Sequence, residues 1–206
     1  MAELRVLPIG PPGAGKGTQS RRIEERYDIP HVSTGDMLRA NKDMETEHGT
    51  PRDYMDAGEL VPDAVVKRVV EEALSELDGF ILDGYPRTIE QAQHLEGVTD
   101  LDAILYIEVS REELIDRLSG RRVDPDTGRN YHVDFDMPDD SAVRERLIQR
   151  EDDQPEQVET RLIEYERKTE PVIEYYVDHP NFVTIDGEDD PDAVFDAITD
   201  VLDPLQ

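Results

Sequence analysis

Ten residues, "GPPGAGKGTQ" at 10–19, limit most sharply what this chain can become. Gly10 is followed, after four intervening residues, by Gly15 and Lys16, and the apolar run "LRVLPI" precedes the loop. Glycines let successive backbone amides turn inward toward an anion, and a helix beginning near Lys16 adds its free N–H groups and the positive end of its dipole. A strand, then this loop, then a helix is the context that a phosphate-binding loop requires. Lys16 then has a reason to stand there, because a compact ammonium charge suits the terminal phosphates of a nucleotide.

The loop sits in an acidic chain. Of 206 residues, 50 are Asp or Glu and 22 are Lys or Arg, a formal charge of -28, and only four of the basic residues are lysines. The acids run along the whole length and form no tail. At roughly 1 M salt the Debye length falls to about 3 Å, which screens the self-repulsion of such a surface. The balance therefore predicts a halophilic source. It also speaks against a nucleic-acid partner, because a polyphosphate backbone calls for a basic face. Leu, Ile, Val and Phe make up 51 of the 206 residues, above the roughly 20% below which a highly charged chain stays disordered. A folded domain with a sizeable core follows. The absence of cysteine removes disulfides and thiolate metal sites. With no apolar run near ~18 residues and no signal-peptide pattern, the expected setting is the cytoplasm, away from membranes.

Strand and helix patterns alternate along the chain. Besides "LRVLPI", the segments "HVS", "GFILD", "AILYIEV" and "FVTI" read as buried strands. Ser110 with Glu113 predicts a capping box, and Pro155 and Pro191 each predict a first helical turn. Val194, Phe195, Ile198, Val201 and Leu202 recur at helical spacing as a core-facing stripe. The alternation predicts an α/β fold, a parallel sheet of five strands with helices on both faces. Pro8 is awkward within it, since proline removes a ladder hydrogen bond from a central strand, and it leaves the end of the first strand open.

Two stretches break the alternation. Residues 33–62 are short helical pieces punctuated by Gly35, Gly49, Pro51, Gly58 and Pro62. Residues 120–153 hold a predicted hairpin, with "DPDTG" as a turn before the alternating Tyr131, Val133 and Phe135. Structureless loops of this size are improbable in a compact domain, so both read as inserted subdomains. The remaining core is 1–32, 63–119 and 154–206.

The spelling of the loop, with Gly17 between Lys16 and Thr18, and the segments after it resemble the adenylate kinase family. "HVSTGDMLR" (31–39), "MDAGELVPD" (55–63), "GFILDGYPRTIEQAQ" (79–93), "DRLSGRR" (116–122) and "REDDQPE" (150–156) look like its other segments in the same order. The resemblance covers nearly the whole chain, and the insertion at 120–153 resembles the long-lid branch. It implies a P-loop NTPase-like core carrying an AMP-binding insertion (33–62) and a lid (120–153), and Mg²⁺-dependent reversible phosphoryl transfer from ATP to AMP. Gly13, Ala14, Gly15, Lys16, Gly17 and Thr18 would hold ATP phosphates, with Arg117, Arg121, Tyr131 and Gly187 also on the ATP side. Thr34, Arg39, Glu59, Leu60, Val61, Gly84, Arg87 and Gln91 would bind AMP, Arg39 and Arg87 on its phosphate and Gln91 on the adenine edge. Arg150 and Arg161 would reach the phosphates from the lid and the helix behind it, so Lys16, Arg87, Arg121, Arg150 and Arg161 would carry the catalytic charge. Asp83, at the end of "FILD", would hold Mg²⁺ through water.

The residues leave some choices open. Asp152 and Asp153 read equally as lid or hinge acids or as surface charges. Of the five histidines, His31, His48, His94, His132 and His179, none shows metal-ligand spacing, and His132 alone resembles a lid position. Some family members close the lid with a zinc held by cysteines. Here hydrogen bonds around "VDPDTGRNYH" must do so. Two other readings stand beside adenylate kinase: a kinase for UMP or CMP, which the pair Thr34 and Gln91 disfavours, and a regulatory protein that uses the fold as a switch. A monomer and a homo-oligomer, the trimer included, are both open.

Overall fold

The computed structural model describes residues 4–47, 49–57, 59–134 and 136–206. Gly58, Phe135 and His48, singled out above, lie outside the described residues. Five strands, β1 (Arg5–Ile9), β2 (His31–Ser33), β3 (Phe80–Asp83), β4 (Ala103–Glu108) and β7 (Phe182–Asp186), form one parallel sheet in the order β2-β3-β1-β4-β7. A separate antiparallel pair joins β5 (Arg121–Val123) to β6 (Asn130–His132).

The apolar strands are buried on both faces because successive side chains point to opposite sides of a sheet. Leu7, Phe80, Leu82 and Ile104 face a cluster that includes Val66, Val70, Ala92, Leu95, Val172 and Tyr176. These come from α4 (Asp63–Leu74), α5 (Ile89–Val98) and α9 (Glu170–Tyr176). Val6, Ile81, Ala103 and Leu105 alternate with them and meet Ile23 and Tyr27 of α1 (Lys16–Tyr27) and Val194, Ile198 and Leu202 of α10 (Pro191–Leu202). The predicted stripe on α10 is thus the core face of that helix. Two further helices, α6 (Arg111–Gly120) and α8 (Pro155–Glu164), cover Ile107 and Val109 through Leu114, Leu118, Val158 and Leu162.

Pro8 lies inside β1, which runs on to Ile9. It pairs in register with Leu105 of β4, whereas the pairing with β3 ends at Val6↔Ile81. The ladder on the β3 side stops before the residue that has no N–H to give, so the proline costs nothing on the β4 side. The capping box at Ser110 does not form. Ser110 is the N-cap of α6 without a side-chain hydrogen bond, its N–H donates to Glu188 Oε1, and Glu113 instead accepts from Arg117 Nε at 2.7 Å. A capping box occurs at Thr50 and Asp53, ahead of α3 (Pro51–Asp56). Asp190 caps α10 as its Asp-Pro spelling predicts, accepting from the N–H groups of Asp192 and Ala193.

The two irregular stretches differ in build. α2 (Thr34–Ala40) and α3 are the helices of the first. In the second, the β5–β6 pair is followed by α7 (Ser141–Arg146), and Val123 and Ile148 form a further bridge. The side chain of Asp124 ties this region together: it accepts from Asp126 N, Thr127 Oγ1, and Arg146 Nε and Nη2 at 2.6 and 2.7 Å. Arg21 of α1 donates to the Gly128 carbonyl at 2.6 Å and so links the turn of the hairpin to the sheet domain. Between α8 and α9, residues Tyr165–Thr169 form a π-helical turn, where Pro171 has no N–H for a regular helical bond. Among the described residues no helix is long and apolar enough to cross a membrane.

Candidate active site

The chain leaves β1 for β2 on one side, returns to β3 beside β1, and then crosses β1 to β4 and β7. The connections leaving the carboxyl ends of β1 and β3 therefore open a crevice, the usual ligand position in a sheet of this kind. A cleft of about 1530 Å³ lies there, larger than the ~300–1,000 Å³ typical of a site for one small ligand. Every residue assigned above to ATP, AMP or Mg²⁺ borders it.

On the β1 side, Gly10 leaves the strand with φ 145, and a Cβ there would lie 2.5 Å from the Ile107 carbonyl oxygen. Gly13 and Gly15 have φ 89 and 92, in the left-handed range. Gly15 is the N-cap of α1 and offers no side chain, and the first turn holds no acid. The N-terminal amides of α1 thus face the cleft without an internal anion, as a phosphate requires. Lys16 Nζ bends back over the loop and donates to the carbonyl oxygens of Gly10 and Pro11 at 2.8 and 2.7 Å.

Asp83 ends β3 directly opposite. A Cβ on Gly17 would approach Asp83 Oδ2 to 3.3 Å, which accounts for the glycine between Lys16 and Thr18. His31 Nε2 lies 3.5 Å from the same oxygen, a charge-pair distance without hydrogen-bond alignment, and that nitrogen is buried without a hydrogen-bond partner. Among the described residues no group of three or more acidic or imidazole side chains gathers to hold a metal by itself. One carboxylate beside a phosphate loop and the Thr18 hydroxyl fits a hard cation that shares its remaining oxygens with water and phosphates.

Across the cleft, Thr34 begins α2 and donates to the Asp83 carbonyl at 3.1 Å. Gly84 has φ 85, and a side chain there would strike Thr34 Oγ1 at 2.7 Å. Arg87 Nε donates to the Gly84 carbonyl at 2.8 Å, and its backbone is held by Thr169 Oγ1 and by Gln91 Oε1. Arg39 is tied to Asp36 at 2.5 Å. Glu59 N donates to Tyr54 O, Leu60 follows at the rim, and Val61 is buried among the core residues beneath.

The remaining arginines come from the far wall. Asp153, fully buried, receives Arg121 Nε and Nη2 at 2.7 and 2.5 Å and Arg161 Nη1 at 2.9 Å. Arg161 also meets Asp152 at 3.1 Å. The two acids are not solvated surface charges, because they set the direction of two guanidinium groups. Arg150 donates to Asn130 Oδ1 at 3.3 Å. Arg117 stays with Glu113 at the rim, and the Arg129 guanidinium covers the Tyr131 ring at 4.9 Å. Gly187 packs against Ile107 and Val109, where a Cβ would come within 2.6 Å of both side chains.

Comparison with known proteins accounts for this arrangement. The family model described as "Adenylate kinase" matches residues 8–180. The chain belongs to the adenylate kinase family. It is 55% identical over 203 residues to the adenylate kinase of Natronomonas pharaonis, covering 98% of each chain. It is 56% identical over 212 residues to that of Haloarcula marismortui, again 98% of each, and 46% identical over 212 residues to that of Halobacterium salinarum, with the same coverage. These sources are halophilic archaea, which supports the halophilic reading of the charge.

Adenylate kinase chemistry needs cations where the phosphates meet, and the electrostatics supply them. Burial is the main cause that pulls the Lys16 pKa down to about 8; Arg87, Arg161 and Arg121 push the same way and Asp83 opposes them. Burial, then Arg161 and Arg39, lowers Arg87 to about 10, and burial with Arg121 and Arg39 lowers Arg150 to about 10. Arg161 is lowered as well, by burial first. Burial would raise Asp83, but His31 and Lys16 outweigh it and keep the carboxyl below its ordinary value. These cations destabilise one another, so the cleft favours a polyanion.

A titration consequence follows. At roughly pH 8.5, above the Lys16 value of about 8, much of Lys16 is neutral, while the phosphates of ATP, whose last ionisation lies near pKa ~6, are fully charged. Phosphates placed beside Lys16 would raise its pKa and draw in a fraction of a proton, an uptake that shrinks toward neutral pH, below the Lys16 value. Calorimetry of ATP binding in buffers of different ionisation enthalpy reads this directly. Uptake at the higher pH that persists unchanged in Lys16→Met would assign the proton to another group.

Asp36 and Asp63 were not singled out in the sequence, although both act on residues that were. Their one signal is their place inside "HVSTGDMLR" and "MDAGELVPD".

Proposed function

We propose that this enzyme binds ATP and AMP end to end in the cleft and transfers the γ-phosphoryl group reversibly, giving two ADP. The observation that carries the reading is charge: a chain of net -28 gathers Lys16, Arg39, Arg87, Arg121, Arg150 and Arg161 around one crevice. ATP phosphates lie on the amides of Gly13 to Thr18 and on Lys16, with the adenosine side toward Arg117, Tyr131 and Gly187. AMP lies between Thr34, Glu59, Leu60, Val61, Gly84 and Gln91, with its phosphate on Arg39 and Arg87.

An oxygen of the AMP phosphate attacks the γ-phosphorus while the bond to the β-bridging oxygen breaks, and ADP leaves. The attacking phosphate oxygen is already anionic, so no side chain has to take a proton. What the protein supplies is alignment and charge: Lys16, Arg87, Arg121, Arg150 and Arg161 surround the oxygens on which negative charge is redistributed. Asp83 would hold Mg²⁺ through water, and the ion would neutralise phosphate charge when bound. The arginines turned toward Asp152 and Asp153 are aimed before substrate arrives, which lowers the reorganisation needed at transfer.

The segments 33–62 and 120–153 are proposed as the AMP-binding insertion and the lid on a core of 1–32, 63–119 and 154–206. Phosphate charge draws the lid arginines inward and excludes water, so that AMP and not solvent receives the group. The proposed setting is the cytoplasm, with AMP, ATP and ADP as partners and with a monomer or a homo-oligomer both compatible. The test is ADP disproportionation by the purified protein in molar KCl with Mg²⁺, with ATP and AMP expected in equal amounts. No turnover with ADP, or faster transfer to UMP or CMP than to AMP, would overturn the reading.

A further inference from the structure

Gln91 is 2% exposed and its side-chain amide is held at both ends. Oε1 accepts from the backbone N–H of Arg87 at 2.7 Å, and Nε2 donates to Asp63 Oδ1 at 2.6 Å. The second Asp63 oxygen accepts from Thr88 Oγ1 at 3.1 Å, and that hydroxyl accepts in turn from Gln91 N at 3.2 Å. Asp63 is the first residue of α4 and stands behind Gln91, outside the cleft lining.

The chemistry of these partners is one-way. A backbone N–H only donates and a carboxylate only accepts, so the amide has one orientation; turned over, its NH₂ would face an N–H and its oxygen a carboxylate. A glutamine amide has two acceptor sites and two N–H groups. Arg87 and Asp63 use one of each, which leaves one acceptor on Oε1 and one donor on Nε2 for a base.

That remainder is where selectivity arises. The adenine edge pairs an amino donor with the N1 acceptor, whereas the 6-oxopurines of IMP and GMP present an acceptor and the N1–H donor, the reverse order. An amide free to turn over serves either kind. We infer that Asp63 is the specificity-positioning residue for the acceptor base: by fixing the orientation of the Gln91 amide, it makes the pocket select 6-aminopurine over 6-oxopurine monophosphates. This inference rests on the proposed placement of the AMP base beside Gln91.

Asp63→Asn tests it, because an asparagine offers either a donor or an acceptor to Gln91 and so removes one of the two one-way partners while keeping size, leaving only the Arg87 N–H to favour the present orientation. The readout is the ratio of kcat/KM for AMP to that for IMP, with ATP as donor. A ratio cancels the amount of folded enzyme, and a merely structural lesion lowers both substrates alike. The ratio is expected to fall by about tenfold, the lower end of what one unsatisfied buried polar group costs, with the KM for ATP unchanged. A fall smaller than about threefold overturns the inference. Should Asp63→Asn give no folded protein, Asp63→Ser is read by the same ratio. A wild-type enzyme that does not use AMP ends both the functional reading and this one, whereas a wild type that uses AMP and a variant with an unchanged ratio end this one alone.

Discussion

Replacing Lys16 by methionine is expected to lower turnover at least roughly 10²-fold, the usual consequence of removing one preorganised charge-stabilising donor from a transition state. The methionine keeps most of the length and the apolar stem, and what it loses is Nζ. In the free cleft that ammonium rests on the Gly10 and Pro11 carbonyl oxygens, both in the loop itself, so its loss leaves two loop carbonyls to water and disturbs no strand pairing. The depressed pKa of about 8 says that the charge is held there against burial and against three arginines. Phosphate is the partner that relieves the strain on that charge. The effect therefore belongs in kcat, with thermal unfolding in molar KCl unchanged within a few degrees. A variant with kcat within about tenfold of wild type would remove Lys16 from the chemistry.

The parts of the site that could be read in the sequence are those whose chemistry is local. Gly10, Gly13 and Gly15 are spaced by a backbone geometry that few other residues satisfy, and their positive φ angles bear this out, with Lys16 directly after the last of them. The strands were readable because two-sided burial writes itself as a continuous apolar run, as in Phe80–Leu82 and Ala103–Ile107. The ends of elements were less so. Ser110 and Glu113 have the spelling of a capping box, yet Arg117 and Glu188 compete for the same groups and win.

Pairs far apart in the chain were beyond a single sequence. Asp153 meets Arg121 across 32 positions and Asp63 meets Gln91 across 28, and in a chain with 50 acids nothing local names the partner of either. Their burial and their one-way hydrogen bonds appear only after folding brings the partners together. The same holds for Asp124, whose carboxylate gathers Thr127 and Arg146 in the hairpin region. An acidic surface suited to high salt therefore hides its few structural acids among many solvated ones.

Arg87→Ala is expected to raise the KM for AMP by about 10²-fold or more while the KM for ATP changes little. The backbone of Arg87 is anchored independently of its guanidinium, through Thr169 Oγ1 and Gln91 Oε1, so truncation should leave the turn in place. Nε is engaged by the Gly84 carbonyl, which leaves the terminal nitrogens to face the cleft. With a pKa of about 10, the group stays charged at neutral pH despite its burial. A hydrogen bond to a charged group contributes about 1.5–3 kcal/mol, so losing two of them to the AMP phosphate amounts to roughly 10²–10⁴ in kcat/KM for AMP. Arg87→Lys should recover only part of this, because a point charge cannot hold two phosphate oxygens at fixed angles. The two substrates separate the explanations. Arg87 also lowers the pKa of Lys16, so a loss that came only from the general field of the cleft would weaken ATP and AMP together. Steady-state kinetics with each nucleotide varied in turn distinguishes the cases, and equal losses on both sides would take Arg87 off the AMP phosphate.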